Sequence, residues 1–225
     1  MIPFKDRVEA GRELAAAVRG HVDERRRSGR NDVIILALPR GGVPVGLELA
    51  RALGAPLDLM LVRKLGVPGH EELAMGAITA RARVLNEDVL RSCGVSEEML
   101  ERETEAERQE LERRARRYRG DRPWPDLRDR CVILVDDGIA TGATMEAAAR
   151  AVRAQDPAEI VLAVPVAPPS SLQRFEPLVD RIECLALPEA FWAIGAWYED
   201  FSQLSDDEVI AMMREAERLQ GKRDE

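Results

Sequence analysis

Residues 131–144, with the sequence CVILVDDGIATGAT, contain the strongest structural signal in the chain. Residues 132–135 are apolar without alternation, which is typical of a strand buried on both faces of a parallel sheet. Asp136 and Asp137 follow directly, and a helical pattern then covers residues 143–154. Ligands of open α/β sheets bind beyond the carboxyl ends of the strands, so the loop between this strand and the helix is the candidate site.

The loop itself has the features of an anion site. Gly138 and Gly142 allow successive backbone N–H groups to converge on an anion. The start of the following helix adds unpaired donors and the positive end of its dipole. Thr141 and Thr144 add hydroxyl donors. Because carboxylates repel a phosphate, the two aspartates need another partner, and the hydroxyls of an adjoining ribose suit them.

Residue identity excludes two common phosphate loops. A P-loop needs a lysine directly after its second glycine, and Ala143 occupies that position. The dinucleotide fingerprint GxGxxG does not occur in the sequence. An ordinary strand–turn–helix junction is the remaining alternative. The ordered run of strand, acidic pair, small-residue loop and helix argues against it.

Other apolar runs predict the rest of the sheet. The additional predicted strands are residues 33–38, 57–62, 160–166 and 182–187. A second helical pattern covers residues 43–53, and the N-terminal residues 1–18 predict an amphipathic helix rather than a signal peptide. Strand followed by helix, repeated, predicts a three-layer α/β/α fold with a mainly parallel sheet and right-handed crossovers.

Composition narrows the function classes. A net charge of −8 argues against a nucleic-acid partner, whose phosphates a protein must neutralise. Cys93, Cys131 and Cys184 are far apart, so neither a disulfide framework nor a zinc site is expected, and their odd number fits a reducing compartment. No stretch approaches the roughly 18 apolar residues of a membrane span. We therefore expect a cytoplasmic protein without a membrane partner.

Residues 97–119 are the most charged part of the chain and predict one long helix, with Ser96 as its N-cap. Glutamates open it and arginines close it, which complements the helix dipole. The expected i,i+4 pairs are Glu98–Arg102, Glu110–Arg114 and Glu112–Arg116. We interpret this segment, about residues 96–120, as a solvated helical insertion with a weak apolar stripe.

The sequence VILVDDGIATGATM resembles the motif with which type I phosphoribosyltransferases bind 5-phosphoribosyl-1-pyrophosphate (PRPP). The resemblance implies that the two aspartates hold the ribose hydroxyls while the loop holds the 5′-phosphate. The implied ribose and phosphate residues are Asp136, Asp137, Gly138, Ile139, Ala140, Thr141, Gly142, Ala143 and Thr144. Because some members of this family are regulators, the motif is more specific for binding than for catalysis.

Two further segments extend the resemblance. Residues 38–44, LPRGGVP, are similar to the pyrophosphate loop of the family, which often contains an unusual cis peptide. Related enzymes also place basic residues on the pyrophosphate. Arg63 and Lys64, at the end of the second predicted strand, are the matching residues here. The implied pyrophosphate residues are Arg40, Gly41, Gly42, Arg63 and Lys64. The implied catalytic residues are Arg40, Arg63, Lys64, Asp136 and Asp137.

The resemblance also implies two appendages to a single domain of residues 1–225. A mobile flap, about residues 65–85, would close over the reacting centre and exclude water. His70 within it is interpreted as a solvated loop histidine rather than a catalytic one. A small hood, about residues 187–204, would select the acceptor, and Phe191 or Trp192 would stack on a planar base. The same rings could equally form a small hydrophobic core or a homodimer contact.

The acceptor itself is left open. Ala140 stands where many 6-oxopurine transferases carry an acidic residue, and residues 164–171 lack the lysine that reads the purine oxygen. The pattern is closest to bacterial phosphoribosyltransferases of unassigned acceptor. It implies Mg²⁺-dependent transfer from PRPP to a small-molecule nitrogen acceptor, such as a nucleobase. Mg²⁺ would arrive with PRPP and meet Asp136 and Asp137 at most indirectly. A non-catalytic PRPP or nucleotide sensor is the alternative, and a hydrolase lacks an obvious nucleophile.

Overall fold

The computed structural model describes residues 4–221 of the 225-residue chain. The helices are α1 (Arg7–Arg27), α2 (Gly42–Leu53), α3 (Glu87–Ser92), α4 (Glu97–Arg119), α5 (Ala143–Arg153), α6 (Pro169–Leu172) and α7 (Asp206–Gly221). The strands are β1 (Val33–Ala37), β2 (Leu57–Leu59), β3 (Arg63–Val67), β4 (His70–Ile78), β5 (Arg83–Leu85), β6 (Cys131–Val135), β7 (Glu159–Val166) and β8 (Arg181–Ala186). The first three residues of the predicted N-terminal helix lie outside the described residues.

A five-stranded parallel sheet in the order β2-β1-β6-β7-β8 forms the centre of the fold. Ile35 of β1 lies opposite Ile133 of β6, and Ile133 lies opposite Val161 of β7. These side chains belong to one hydrophobic core, whereas their neighbours Leu36 and Leu134 belong to another on the opposite face. The alternation follows from strand geometry. Two cores on one sheet require helices on both faces.

Helices cover the two faces as the α/β pattern predicts. Leu14 of α1, Leu49 of α2 and Met213 of α7 are buried in the core on one face. Met145 and Val152 of α5 are buried in the core on the other face. The predicted three-layer α/β/α class with a parallel central sheet is therefore confirmed, and each predicted strand run contains a strand.

The second strand was predicted too long. Strand β2 ends at Leu59, so Arg63 and Lys64 do not lie at its end. They open β3 of a separate antiparallel sheet in the order β3-β4-β5. This sheet spans residues 63–85 and contains the segment predicted as a flap. A Cβ atom at Gly76 would lie 2.5 Å from the carbonyl oxygen of Val84, so the glycine permits close pairing of β4 and β5.

Helix α4 has the predicted bounds and the predicted cap, since the Ser96 side chain accepts from the Met99 amide at 3.2 Å. The three predicted i,i+4 ion pairs are present. Leu100, Leu111 and Tyr118 are buried in the core, so one face of α4 is packed more deeply than a solvated helix requires. This face places the charged helix against β3 and α7. Among residues 4–221, no helix is both long and apolar enough to span a bilayer.

Candidate active site

The acidic pair lies where β6 ends. Asp137 is 7% exposed, and its carboxylate Oδ2 accepts a hydrogen bond from Arg7 Nε at 2.8 Å. The Asp137 amide donates to Asp136 Oδ1 at 2.9 Å, so the Asp136 side chain folds back onto the backbone that follows it. The pair is therefore held from both sides, by the turn itself and by the first helix of the chain.

Desolvation raises the pKa of both carboxyl groups. Desolvation, followed by the charge of Asp137, raises the pKa of Asp136 well above its usual value. Desolvation also raises the pKa of Asp137, and the hydrogen bond from Arg7 opposes that rise. Two adjacent buried carboxylates repel each other and lack the donors that water would supply. Hydroxyl groups or a cation placed here would stabilise their ionised form.

The glycines of the β1–α2 loop pack directly against this pair. A Cβ atom at Gly41 would lie 2.0 Å from Asp137 Oδ2. A Cβ atom at Gly42 would lie 2.7 Å from the carbonyl oxygen of Val135 and 2.9 Å from Asp136 Cα. The Pro39–Arg40 peptide is cis, as the resemblance implied. The two loops singled out in the sequence thus touch at the end of the sheet, and side chains larger than hydrogen would separate them.

The loop after the aspartates presents free amide groups. Gly142 has φ +78°, a conformation that glycine adopts without strain, and α5 begins at the next residue. The amides of Ala140, Thr141, Ala143 and Thr144 have no hydrogen-bond acceptor among the residues that the structure describes. Successive free N–H groups before a helix form an anion-binding concavity.

Neighbouring side chains hold this loop by its carbonyl oxygens. Ser171 Oγ donates to the carbonyl of Ala140 at 2.5 Å, and Arg174 Nη1 donates to the carbonyl of Thr141 at 2.8 Å. Both donors follow β7, with Ser171 in α6 and Arg174 just after it, and only Ser171 falls within residues 164–171, which the sequence analysis noted for their missing lysine. Because the carbonyl oxygens are engaged, the N–H groups remain available to a ligand.

Arg7 and Tyr198 are site residues that sequence reasoning missed. The Tyr198 hydroxyl donates to the Asp137 carbonyl at 2.5 Å, and burial raises the pKa of this phenol. The Arg7 guanidinium stacks 3.8 Å from the centroid of the Phe201 ring. Neither residue belongs to a motif. The crowding of aromatic residues near position 198 was the one available signal, and it left an acceptor site, a small core and a homodimer contact as equal alternatives.

The structure does not bring the three basic residues expected at the pyrophosphate to one point. Arg40 Nη1 lies 3.9 Å from Asp206 Oδ1, and Arg63 forms an ion pair with Glu107 of α4. Lys64, the next residue of β3, points to the opposite face and lines a cavity of about 480 Å³. The start of α5 also lines that cavity.

Arg63 nevertheless remains close to the candidate loops. Arg63, Pro39 and Thr144 line one small cavity of about 40 Å³. This arrangement brings the cis-peptide loop, β3 and the first turn of α5 together. Among the three basic residues, Arg63 therefore shares a cavity with residues of both loops.

The aromatic cluster is mainly structural. Phe191 packs against a small core of Phe4, Val166 and Tyr198. This packing matches the alternative in which the rings form a small hydrophobic core. The Trp192 side chain is 90% exposed. Of the two rings considered for base stacking, Trp192 is exposed and Phe191 is half-buried. His70 is exposed as interpreted, although it begins β4 rather than lying in a loop.

Comparisons with known proteins identify the family of the chain. The family model described as "Phosphoribosyl transferase domain" matches residues 5–200. Two Mycobacterium tuberculosis proteins, from strains CDC 1551 and H37Rv and both named "Putative phosphoribosyl transferase", are 45% identical over 216 residues, which is 96% of this chain. The chain spans 47% of the length of these curated relatives. The crystal structure of TT1426 from Thermus thermophilus is 42% identical, with a TM-score of 0.82 and coverage of 95% of this chain and 98% of that chain.

Proposed function

The chain belongs to the phosphoribosyl transferase domain family, and from this membership we propose that it transfers the phosphoribosyl group of PRPP to a nitrogen acceptor and releases pyrophosphate. One observation supports the proposal above the others. Two adjacent carboxylates, half-buried Asp136 and buried Asp137, adjoin a loop of free amide groups at the carboxyl end of a parallel strand. Acceptors for sugar hydroxyls beside donors for a phosphate match the two ends of a ribose 5-phosphate unit.

The proposed roles at this end of the sheet follow from the contacts. The carboxylates accept hydrogen bonds from the ribose 2′- and 3′-hydroxyls, which relieves their mutual repulsion. The amides of Ala140, Thr141, Ala143 and Thr144, with the positive end of the α5 dipole, bind the 5′-phosphate. Arg7 and Tyr198 position Asp137 without touching the substrate. The sugar is thereby fixed at both ends, with C1 directed toward the loop of Gly41 and Gly42.

The chemical step requires little covalent work from the protein. The bond between C1 and the pyrophosphate oxygen breaks, and its electron pair leaves with pyrophosphate. The lone pair of the acceptor nitrogen then forms the new bond to C1, and the acceptor releases its proton. Arg40, Arg63 and Lys64 would stabilise the charge on the leaving group, while the two aspartates would favour positive charge developing on the ribose ring.

The two aspartates suit a Mg²⁺ ion that arrives bound to the substrate rather than one held by the protein alone. Mg²⁺ prefers oxygen ligands and usually keeps waters and substrate phosphates in its coordination sphere. Asp137 is already engaged by Arg7 and lies against Gly41, which leaves Asp136 as the more available carboxylate. We propose that PRPP carries the ion on its pyrophosphate and ribose oxygens, near Asp136. When bound there, Mg²⁺ would neutralise charge on the departing pyrophosphate.

The acceptor is proposed to be a small molecule other than a 6-oxopurine, because Ala140 and residues 164–171 lack the expected acidic and lysine side chains. Trp192 is the candidate for stacking on it, with a homodimer contact as the other use of this surface. The proposed flap, residues 65–85, would close over the reacting centre and exclude water. The three free cysteines suit a reducing compartment, and we place the reaction in the cytoplasm without nucleic-acid or membrane partners.

A second candidate function is a PRPP sensor without turnover. Arg40 and Arg63, two of the three cations proposed for the leaving group, lie beside carboxylates of Asp206 and Glu107. If these pairs persist when PRPP binds, the site would bind PRPP without stabilising the departing pyrophosphate. This possibility is tested directly by turnover.

The deciding experiment is a PRPP-consumption screen across purines, pyrimidines and small amines, with products identified by mass spectrometry. A transferase releases pyrophosphate only with a particular acceptor and forms the matching phosphoribosyl product. Binding of PRPP without turnover on any acceptor identifies a sensor. Release of pyrophosphate that is independent of the acceptor identifies hydrolysis instead.

A further inference from the structure

A second basic cavity lies behind the cis-peptide loop, between the end of α4 and the start of α7. Its volume is about 210 Å³. Its lining, besides Pro39, consists of Arg40, Arg113, Arg114, Arg117, Tyr118 and Asp206. We propose that this cavity is a separate anion site that binds a phosphate group, either inorganic phosphate or the phosphate of a small metabolite.

The sequence of α4 builds most of this site. Arg113 and Arg117 are four residues apart, as are Arg114 and Tyr118, so each pair shares a helix face. Burial of Tyr118 in the core turns this end of the helix toward the cis-peptide loop, which contributes Arg40. The arginines that the sequence analysis assigned to dipole compensation are thereby gathered around one cavity.

The charge balance of the lining favours an anion. Four arginines and one carboxylate, Asp206, give a formal lining charge of 4 − 1 = +3. Glu110 binds Arg113 and Arg114 through their Nε atoms at 2.7 and 2.8 Å, from outside the lining. Counting both Glu110 and Asp206, the four guanidinium groups still carry two positive charges in excess, and each planar fork can bind phosphate oxygens in pairs.

Asp206 already occupies the position where an external anion would be stabilised. Its Oδ2 lies 2.9 Å from Arg117 Nε, and its Oδ1 accepts from the Tyr118 hydroxyl at 2.5 Å and lies 3.9 Å from Arg40 Nη1. The hydrogen bond from Tyr118 and the charge of Arg117 lower the pKa of Asp206. The carboxylate is therefore an internal competitor, held by the same groups that would bind a phosphate.

The dimensions limit the ligand. Pockets for organic ligands measure about 300–1,000 Å³, so a cavity of about 210 Å³ suits a phosphate with at most a short organic group. No residue of the phosphate loop after β6 lines this cavity, although it adjoins the cavity of about 40 Å³ beside Thr144, because Pro39 and Arg114 line both. Arg40 is common to this cavity and to the proposed pyrophosphate loop, so variants that test the cavity are best made in α4.

The test is calorimetric titration of inorganic phosphate into the full chain saturated with ribose 5-phosphate and Mg²⁺-pyrophosphate, which fill the loop after β6 and the proposed pyrophosphate loop. We expect phosphate still to bind, with one site per chain. The double variant Arg113→Gln/Arg117→Gln should bind phosphate at least about tenfold more weakly, since charge-assisted contacts are lost. The matched control is Arg102→Gln/Arg116→Gln on the same helix, whose side chains are 78% and 76% exposed and outside the cavity. It should bind phosphate like the unaltered chain.

The variant Asp206→Asn should change phosphate affinity in the opposite direction. Removing the internal carboxylate should tighten phosphate binding, a gain that damage to the fold does not produce. A parallel titration with glycerol phosphate separates the sources, because a preference for the ester identifies a metabolite and a preference for inorganic phosphate identifies the free ion.

Two results would overturn the site. One is loss of phosphate binding once ribose 5-phosphate and pyrophosphate are bound, and the other is equal weakening in the cavity variant and its control. If ribose 5-phosphate itself fails to bind, the proposed function fails, but phosphate binding that depends on Arg113 and Arg117 still supports this cavity.

Discussion

The Nε atom of Arg7 lies 2.8 Å from Oδ2 of Asp137, joining two residues that are 130 positions apart in the chain. Both side chains are nearly buried, at 11% and 10% exposure. The same guanidinium donates through Nη1 to the Ser202 carbonyl at 2.9 Å and stacks on Phe201. Arg7 thus connects the first helix, the acidic pair and the segment proposed as the hood. We infer that it positions Asp137 for the ribose.

Replacing Arg7 by glutamine should destabilise the protein. Removing one partner of a buried ion pair leaves the other charge uncompensated, which typically costs about 3–5 kcal/mol of unfolding free energy. Urea denaturation measures this loss. Arg19→Gln, at an exposed position of the same helix, is the control and should change stability by less than about 0.5 kcal/mol. Adding Asp137→Asn to Arg7→Gln should recover part of the loss, and full additivity of the two changes would contradict a direct pair.

Asp136→Asn should stabilise the ligand-free protein at neutral pH while weakening PRPP binding. Burial raises the pKa of Asp136, so the folded state retains a proton that the unfolded state releases near pH 3.9. Stability from this group is present below about pH 3.9 and is lost as pH rises through the raised folded pKa. Thermal melts between pH 4 and 8 should show the stabilisation growing with pH. A stabilisation that does not vary with pH would contradict the linkage.

Gly41→Ala should weaken PRPP binding and lower stability, because the added Cβ atom has no space. That atom would lie 2.0 Å from Asp137 Oδ2, so the loop or the carboxylate must move. Overpacking of this kind costs about 1–3 kcal/mol, and we expect PRPP affinity to fall at least about tenfold. Calorimetry with PRPP and thermal melts measure the two effects. Gly20→Ala is the matched control, since a Cβ atom there meets nothing within 4 Å. Unchanged PRPP binding by Gly41→Ala would show that the two loops do not cooperate.

Neutralising Glu107 should show whether Arg63 reaches the pyrophosphate of bound PRPP. Glu107 holds Arg63, one of the cations proposed for the leaving group. If Arg63 reaches the pyrophosphate, Glu107→Gln should free it and raise PRPP affinity, by about the two- to fivefold that a partly exposed ion pair represents. Glu105→Gln, nearby on α4 with a 59% exposed side chain, is the control. No difference between the two variants would remove Arg63 from the proposed site.

The fold and the phosphate loop were predictable from short stretches of sequence. The run of residues 131–144 encodes a strand, an acidic pair, a turn and a helix in sequence order, so nothing distant was needed to interpret it. The parallel strands were equally visible, because burial on both faces leaves uninterrupted apolar runs. Strands β3–β5 were not predicted, since charges and glycines interrupt their alternation and an antiparallel sheet was not considered there.

The missed site residues depend on tertiary contacts. No spacing relates Arg7 to Asp137, and only the packing of α1 against the sheet brings them together. Phe191 and Trp192 are adjacent in sequence and equally aromatic, yet one packs into a small core and the other is 90% exposed. The divergence of Arg63 and Lys64 follows from strand alternation, but it could be derived only once both were placed inside β3 rather than at the end of β2.

The central claim is that the residues after β6 bind PRPP, and titration of Mg²⁺-PRPP into the unaltered chain and into Asp137→Asn tests it most directly. Loss of a charge-assisted bond to a ribose hydroxyl should weaken PRPP binding by roughly 10- to 100-fold. Asp121→Asn, at an exposed position outside the loop after β6, should bind PRPP like the unaltered protein. PRPP affinity that is the same in a folded Asp137→Asn variant and in the unaltered chain would contradict the account.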